Sequence, residues 1–70
     1  MHFTYSFVRL INDREDCCYS EDGGERNLQD FIGVTPWLYE RALKLDVGEH
    51  FSHVDDEGNR YSVLTIERIA

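Results

Sequence analysis

The first seven residues constrain the fold most. Phe3, Tyr5 and Phe7 alternate with His2, Thr4 and Ser6. That is the two-residue period of a strand, with one aromatic face and one polar face. Val8, Leu10 and Ile11 extend it. Asn12-Asp13-Arg14-Glu15-Asp16 then reads as a turn, and Cys17-Cys18-Tyr19-Ser20 as a short returning strand that completes a first hairpin.

Ser20 to Glu25 reads as a flexible acidic loop. Asn27 is placed to cap a short helical turn through Leu28, Asp30, Phe31 and Ile32, ended by Gly33. The best-marked element follows. Thr35 is an N-cap candidate, and Pro36 stands at the first helical position, where its missing N–H costs nothing. The predicted helix runs to about Leu45. Leu38, Ala42 and Leu45 share one face, with Val34 just outside the start. Glu40 and Lys44 form a favourably oriented i,i+4 pair on another face, and Gly48 marks a stop. Glu49–Val54 and Arg60–Ile69 read as strands joined by the turn Asp55-Asp56-Glu57-Gly58-Asn59. On the last strand Leu64 and Ile66 lie on one face, and Tyr61, Val63 and Thr65 on the other. The expected fold is therefore α+β: an antiparallel sheet of two hairpins in ββαββ order, with one main helix packed on one face. Phe3, Tyr5, Phe7, Leu38, Ala42, Leu45, Leu64 and Ile66 are the expected core.

The chain has 70 residues, which suits one domain spanning residues 1–70. A domain of this size buries only about 60% of the surface its unfolded chain exposes, so its core is thin. Disulfides do not compensate here. The two cysteines, Cys17 and Cys18, are adjacent, and a disulfide needs Cα atoms roughly 5.5–6 Å apart. A cytoplasmic protein with reduced thiols is expected. Met1-His2-Phe3-Thr4-Tyr5 does not read as a secretory signal, and no stretch approaches the ~20 apolar residues of a membrane span. Self-association is a second way to support a thin core. An open sheet edge can pair with a copy of itself, so a homodimer stays open.

Catalytic and metal-binding constellations are poorly supported. His50 and His53 are three apart. That spacing shares a face on a helix but splits across a strand, so no metal site is expected. Asp55-Asp56-Glu57-Gly58-Asn59 lacks both the spacing and the distant Glu ligand of a calcium loop. Cys17 and Cys18 follow Glu15 and Asp16, whose charges oppose thiolate formation. There is no glycine-rich phosphate loop. A chain this small also has difficulty enclosing a pocket of ~300 Å³ or more. The expectation is a non-enzyme with no cofactor.

Leu28 to Leu43, LQDFIGVTPWLYERAL, has the outline of a helix-turn-helix. A DNA-binding regulator using residues 28–45, with Thr35 to Lys44 as the reading helix, is therefore the alternative reading. Gln29 stands where such motifs place a small residue, and the reading helix offers only Arg41 and Lys44. Acidic residues outnumber basic ones 14 to 7, a net charge of −7. That balance opposes nucleic acid and anionic membranes and favours a protein partner with a basic surface.

The acids are clustered. Glu15, Asp16, Glu21, Asp22, Glu25 and Asp30 crowd the first half with Asp13, and Asp55, Asp56 and Glu57 form a later group with Asp46 and Glu49. Same-face residues on a strand recur at roughly 6.6–6.8 Å, close to the phosphate spacing of an extended nucleic acid. The same carboxylates also serve as an ordinary solvated face. Trp37, Tyr39 and Tyr19 are the aromatic anchor candidates. In size, acidity and ββαββ outline the chain resembles the small inhibitor proteins that bacteriophages make against host machinery, the anti-CRISPR proteins among them. That resemblance implies a binding protein that blocks a nucleic-acid-binding or docking surface of a larger host complex.

Overall fold

A computed structural model describes residues 1–33 and 35–70. The expected contact of Val34 with the helix lies outside the described residues. The elements are β1 (His2–Ile11), β2 (Arg14–Gly24), α1 (Glu25–Ile32), α2 (Pro36–Leu43), β3 (His50–Glu57) and β4 (Arg60–Arg68). The strands form one antiparallel sheet in the order β2-β1-β4-β3. The α+β class and the two hairpins are as expected from the sequence.

The helices differ in extent: the short helical turn expected around Asn27 to Ile32 is a full helix, so two helices of 8 residues each stand where one main helix was expected. The first begins at Glu25, two residues before Asn27. Gly24 occupies the N-cap position, and the Asn27 side-chain oxygen accepts its N–H at 3.3 Å. Leu28, Phe31 and Ile32 then recur at helical spacing, so a stripe of α1 packs on the sheet. Gly33 ends α1 with φ 68° and ψ −122°, a conformation essentially reserved for glycine. Its N–H still donates to Gln29 O at 3.0 Å. Pro36 opens α2 as expected, but α2 stops at Leu43 and Leu45 lies beyond its end.

The strands are longer and the turns shorter than the sequence suggested. Arg14, Glu15 and Asp16, read as turn, belong to β2, as do Glu21 and Asp22, read as loop. Asp55, Asp56 and Glu57, read as turn, belong to β3. Each hairpin closes through two residues, since Ile11 pairs with Arg14 and Glu57 with Arg60. Asn12 and Asp13 both take positive φ, 52° and 62°. That is the turn geometry whose twist matches a hairpin, and Asn and Asp tolerate it better than most side chains.

Paired residues share a face of the sheet. Phe3, Tyr5 and Phe7 lie on the helix side together with Leu64, Ile66 and Phe51. Phe3, Tyr5, Leu28, Leu38, Ala42, Phe51, Leu64 and Ile66 are buried. Phe7 and Leu45, expected in the core, are only partly buried at its margin, while Leu28 and Phe51 join it unannounced. The Leu64 and Ile66 face of β4 is therefore the one that meets the helices.

β2 carries a bulge. Arg9 pairs with Cys17 but Leu10 pairs with Glu15, so Asp16 is the extra residue. It lies on the side of Arg9, whose Nε donates to its carboxylate at 2.9 Å. Beyond the bulge the faces of β2 exchange, and Glu15 points to the helix-free side with Leu10.

Candidate functional site

Half of the acidic residues fall on the two outer strands of the sheet. Glu15, Asp16, Glu21 and Asp22 are on β2, and Asp55, Asp56 and Glu57 are on β3. Strand alternation then divides each group. Asp55 and Glu57 are on the helix side and Asp56 on the other, so the longest same-face series on one strand is a pair. An extended ladder of phosphate-spaced carboxylates does not form.

Some of these acids have basic neighbours within the chain. Asp16 is ion-paired with Arg9. Asp22 lies 3.6 Å from His2 Nε2, and Glu25, the first residue of α1, lies 3.9 Å from the terminal amine. Trp37 on α2 stands half-exposed with its ring edge-on to His53, centroids 4.9 Å apart. His53 and His50 point to opposite faces of β3, and the same alternation separates Cys17 from Cys18.

Glu21 and Asp30 are different. They come from separate elements and line one recess between β2 and α1, with Tyr19, Asn27 and Phe31. Its volume is about 300 Å³. Tyr19 and Glu21 are two apart on the helix side of β2. Asn27, Asp30 and Phe31 follow the i, i+3, i+4 spacing of a helix face. Gly23 lets α1 come this close, because a Cβ there would sit 2.6 Å from Asn27 Cβ. The Tyr19 and Phe31 rings stack at 5.3 Å with 15° between their planes, and Phe31 also leans on Tyr5 at 4.7 Å. The Tyr19 hydroxyl donates to Glu21.

No family of known proteins, no curated protein and no solved structure matches this chain. The chemistry of the recess therefore carries the functional reading.

Two carboxylates beside an aromatic wall have the chemistry to suit an organic cation. A guanidinium or ammonium group donates to several oxygens at once and is attracted to ring faces. Neither Glu21 nor Asp30 has an ion-pair partner among the described residues. Nor does any group of three His, Cys, Asp or Glu residues among them have the arrangement to hold a metal. The sequence singled out Glu21, Asp30 and Tyr19. It missed Asn27 and Phe31 as site residues, although their spacing to Asp30 would have shown the shared face once the helix start was fixed.

Tyr5 packs against Phe31 at the recess, 1% exposed, and its hydroxyl has no hydrogen-bond partner among the described residues. Burial raises the Tyr5 pKa above 10.0, and the charges of Glu21, Asp22 and Asp30 raise it further. The unfolded chain therefore releases this proton first as pH climbs past 10. The stability contribution is complete below that pH and is lost as pH rises toward the folded value. Tyr5→Phe is expected to gain about 1 kcal/mol near neutral pH, because it removes an unpartnered buried hydroxyl. It should also flatten the alkaline loss of stability. Urea midpoints of both proteins near neutrality and at about pH 11 check this. A less stable variant would mean that the hydroxyl has a partner in solution.

Proposed function

We propose that this chain is a protein-binding module, not a catalyst, and that it engages the basic surface of a larger partner by taking a lysine or arginine side chain into the recess of Glu21, Asp30 and Tyr19. The observation that carries this reading is the convergence of two carboxylates from β2 and α1 beside a stacked aromatic pair, with no ion-pair partner for either among the described residues. Trp37 and the outer carboxylates Asp55, Asp56 and Glu57 supply further contacts and long-range attraction. The net charge of −7 selects basic partners and speeds encounter. Such a module acts as an inhibitor when the basic surface it covers otherwise engages nucleic acid, as in the anti-CRISPR type of protein that the chain resembles.

The DNA-regulator alternative has its two helices, but Arg41 and Lys44 are the only basic residues of its reading helix. Arg41 on α2 lies over the Phe51 ring at 4.3 Å, held against the sheet, and Glu40 shares the exposed side of α2. A titration separates the readings. An arginine-rich peptide added to labelled protein should perturb the amide signals of Tyr19, Glu21 and Asp30 most. Glu21→Gln with Asp30→Asn should weaken it by at least about tenfold, the worth of one charge-assisted contact. Perturbation spread evenly over the surface would defeat the recess. Sequence-specific retention of DNA in a mobility-shift assay would favour the reading helix instead.

A further inference from the structure

The helix-free face of the sheet carries a pattern that the recess does not use. Pairing places Cys18, Val8, Val63 and Val54 side by side in one rung across all four strands. The neighbouring rung toward the hairpin turns is Glu15, Leu10, Tyr61 and Asp56. The uncovered face of a two-layer fold ordinarily turns polar. Here an apolar patch crosses the sheet, with Val54 49% and Tyr61 38% exposed. A carboxylate bounds it on each side, and the β2 bulge is what turns Glu15 onto this face. The rung on the other side is made of small hydroxyl side chains, with Ser52 Oγ and Thr65 Oγ1 3.0 Å apart. An apolar centre within a polar rim is the anatomy of a protein interface.

We propose that this face docks an amphipathic helix of the partner protein, apolar along one stripe and flanked on both sides by lysine or arginine. The proposal rests on the reading that the chain binds a basic protein and adds a second surface to it. Charge and width choose the occupant. The two outer strands are separated by three strand spacings, roughly 14–15 Å. A helix with its side chains is about 10–12 Å across. Laid along β1 and β4, it covers Val8, Leu10, Val63 and Tyr61, and its flanking cations reach Glu15 on one side and Asp56 on the other. A second copy of the chain fits poorly. Arg9, Arg14, Arg60 and Arg68 all belong to rungs on the helix side. Two copies face to face would therefore surround the patch with carboxylates and supply no arginine to answer them.

The probe is a synthetic helical peptide of about 14 residues, ~21 Å long, with a leucine stripe flanked by lysines. Its control carries glutamate in place of lysine. Amide shift changes should gather at Val8, Leu10, Val54, Tyr61 and Val63 and be absent with the control. Tyr61→Ser with Val63→Thr should weaken binding at least about tenfold, as loss of central anchors does. Glu15→Gln with Asp56→Asn, which leaves packing untouched, should also weaken it. Glu21→Gln with Asp30→Asn should leave this contact within about twofold, so failure of the recess and failure of this face are read separately. Shifts that gather at Tyr19 and Asp30, or an absence of binding, would overturn the proposal. So would a concentration-dependent dimer in sedimentation whose contact shields Tyr61, since the occupant would then be a second copy.

Discussion

Ile66→Ala is expected to leave much of the protein unfolded at room temperature. Ile66 is fully buried on β4, between Tyr5 on β1 and Phe51 on β3, with the helices above. Removing a buried isoleucine's outer carbons costs about 2–5 kcal/mol, because the cavity only partly collapses. A core of this size rarely supplies more than ~3–5 kcal/mol in total. The substitution therefore takes away most of what holds the fold. Val63 makes the internal comparison, because it precedes Leu64 on the same strand and faces the other way. Val63→Ala should cost about 1 kcal/mol, the worth of partly exposed methyl groups. Urea titration followed by circular dichroism measures both. Equal losses would mean that the helices do not pack on the face that Ile66 occupies.

That contrast also marks what the sequence made legible. Period-two patterning places Phe3, Tyr5, Leu64 and Ile66 on one side of the sheet, and helical spacing places Leu38 and Ala42 over it. All six are buried in the fold. Patterning failed where composition and pairing disagree. β2 reads REDCCYSEDGG, a string of residues that disfavour strands on their own. It is held extended because every ladder position faces a residue of β1. The same applies to Asp55, Asp56 and Glu57, which sit opposite β4. Tertiary pairing overrode local preference, and the two-residue turns followed from it. Phe51 was hidden between Ser52 and the polar His50, with no apolar neighbour to signal its side.

For the site, the acid excess and its clustering were legible, but the destination of each charge was not. A one-residue bulge at Asp16 decides which face Glu15 occupies, and no local motif announces it. The convergence of Glu21 with Asp30 depends on α1 crossing close to β2, which needs the missing side chain at Gly23. The acids on both edge strands also have a purely structural consequence. Charged side chains on an edge strand disfavour its pairing with another strand, and both open edges, β2 and β3, carry them.

Guarding an edge and binding a partner make different demands on the same charges, and kinetics separates them. Glu21→Lys with Asp30→Lys is expected to abolish tight association with the arginine-rich peptide. Asp55→Lys with Glu57→Lys changes the net charge by the same amount at the other edge of the sheet. Long-range attraction depends on total charge and is screened beyond about 8 Å at physiological salt. Both double variants should therefore slow association comparably at low ionic strength and converge as salt is added. Dissociation depends on the contacts made after docking. If the recess holds the cation, only Glu21→Lys with Asp30→Lys should raise the dissociation rate, by about 30-fold or more, since a charge pair stripped of one partner costs ~2–5 kcal/mol. Stopped-flow mixing across a salt series gives both rates. Equal dissociation rates in the two variants would make the carboxylates a diffuse field and remove Glu21 and Asp30 from any specific role. A selective rise, with circular dichroism unchanged, would identify the β2–α1 recess as the place where the partner's cation is held.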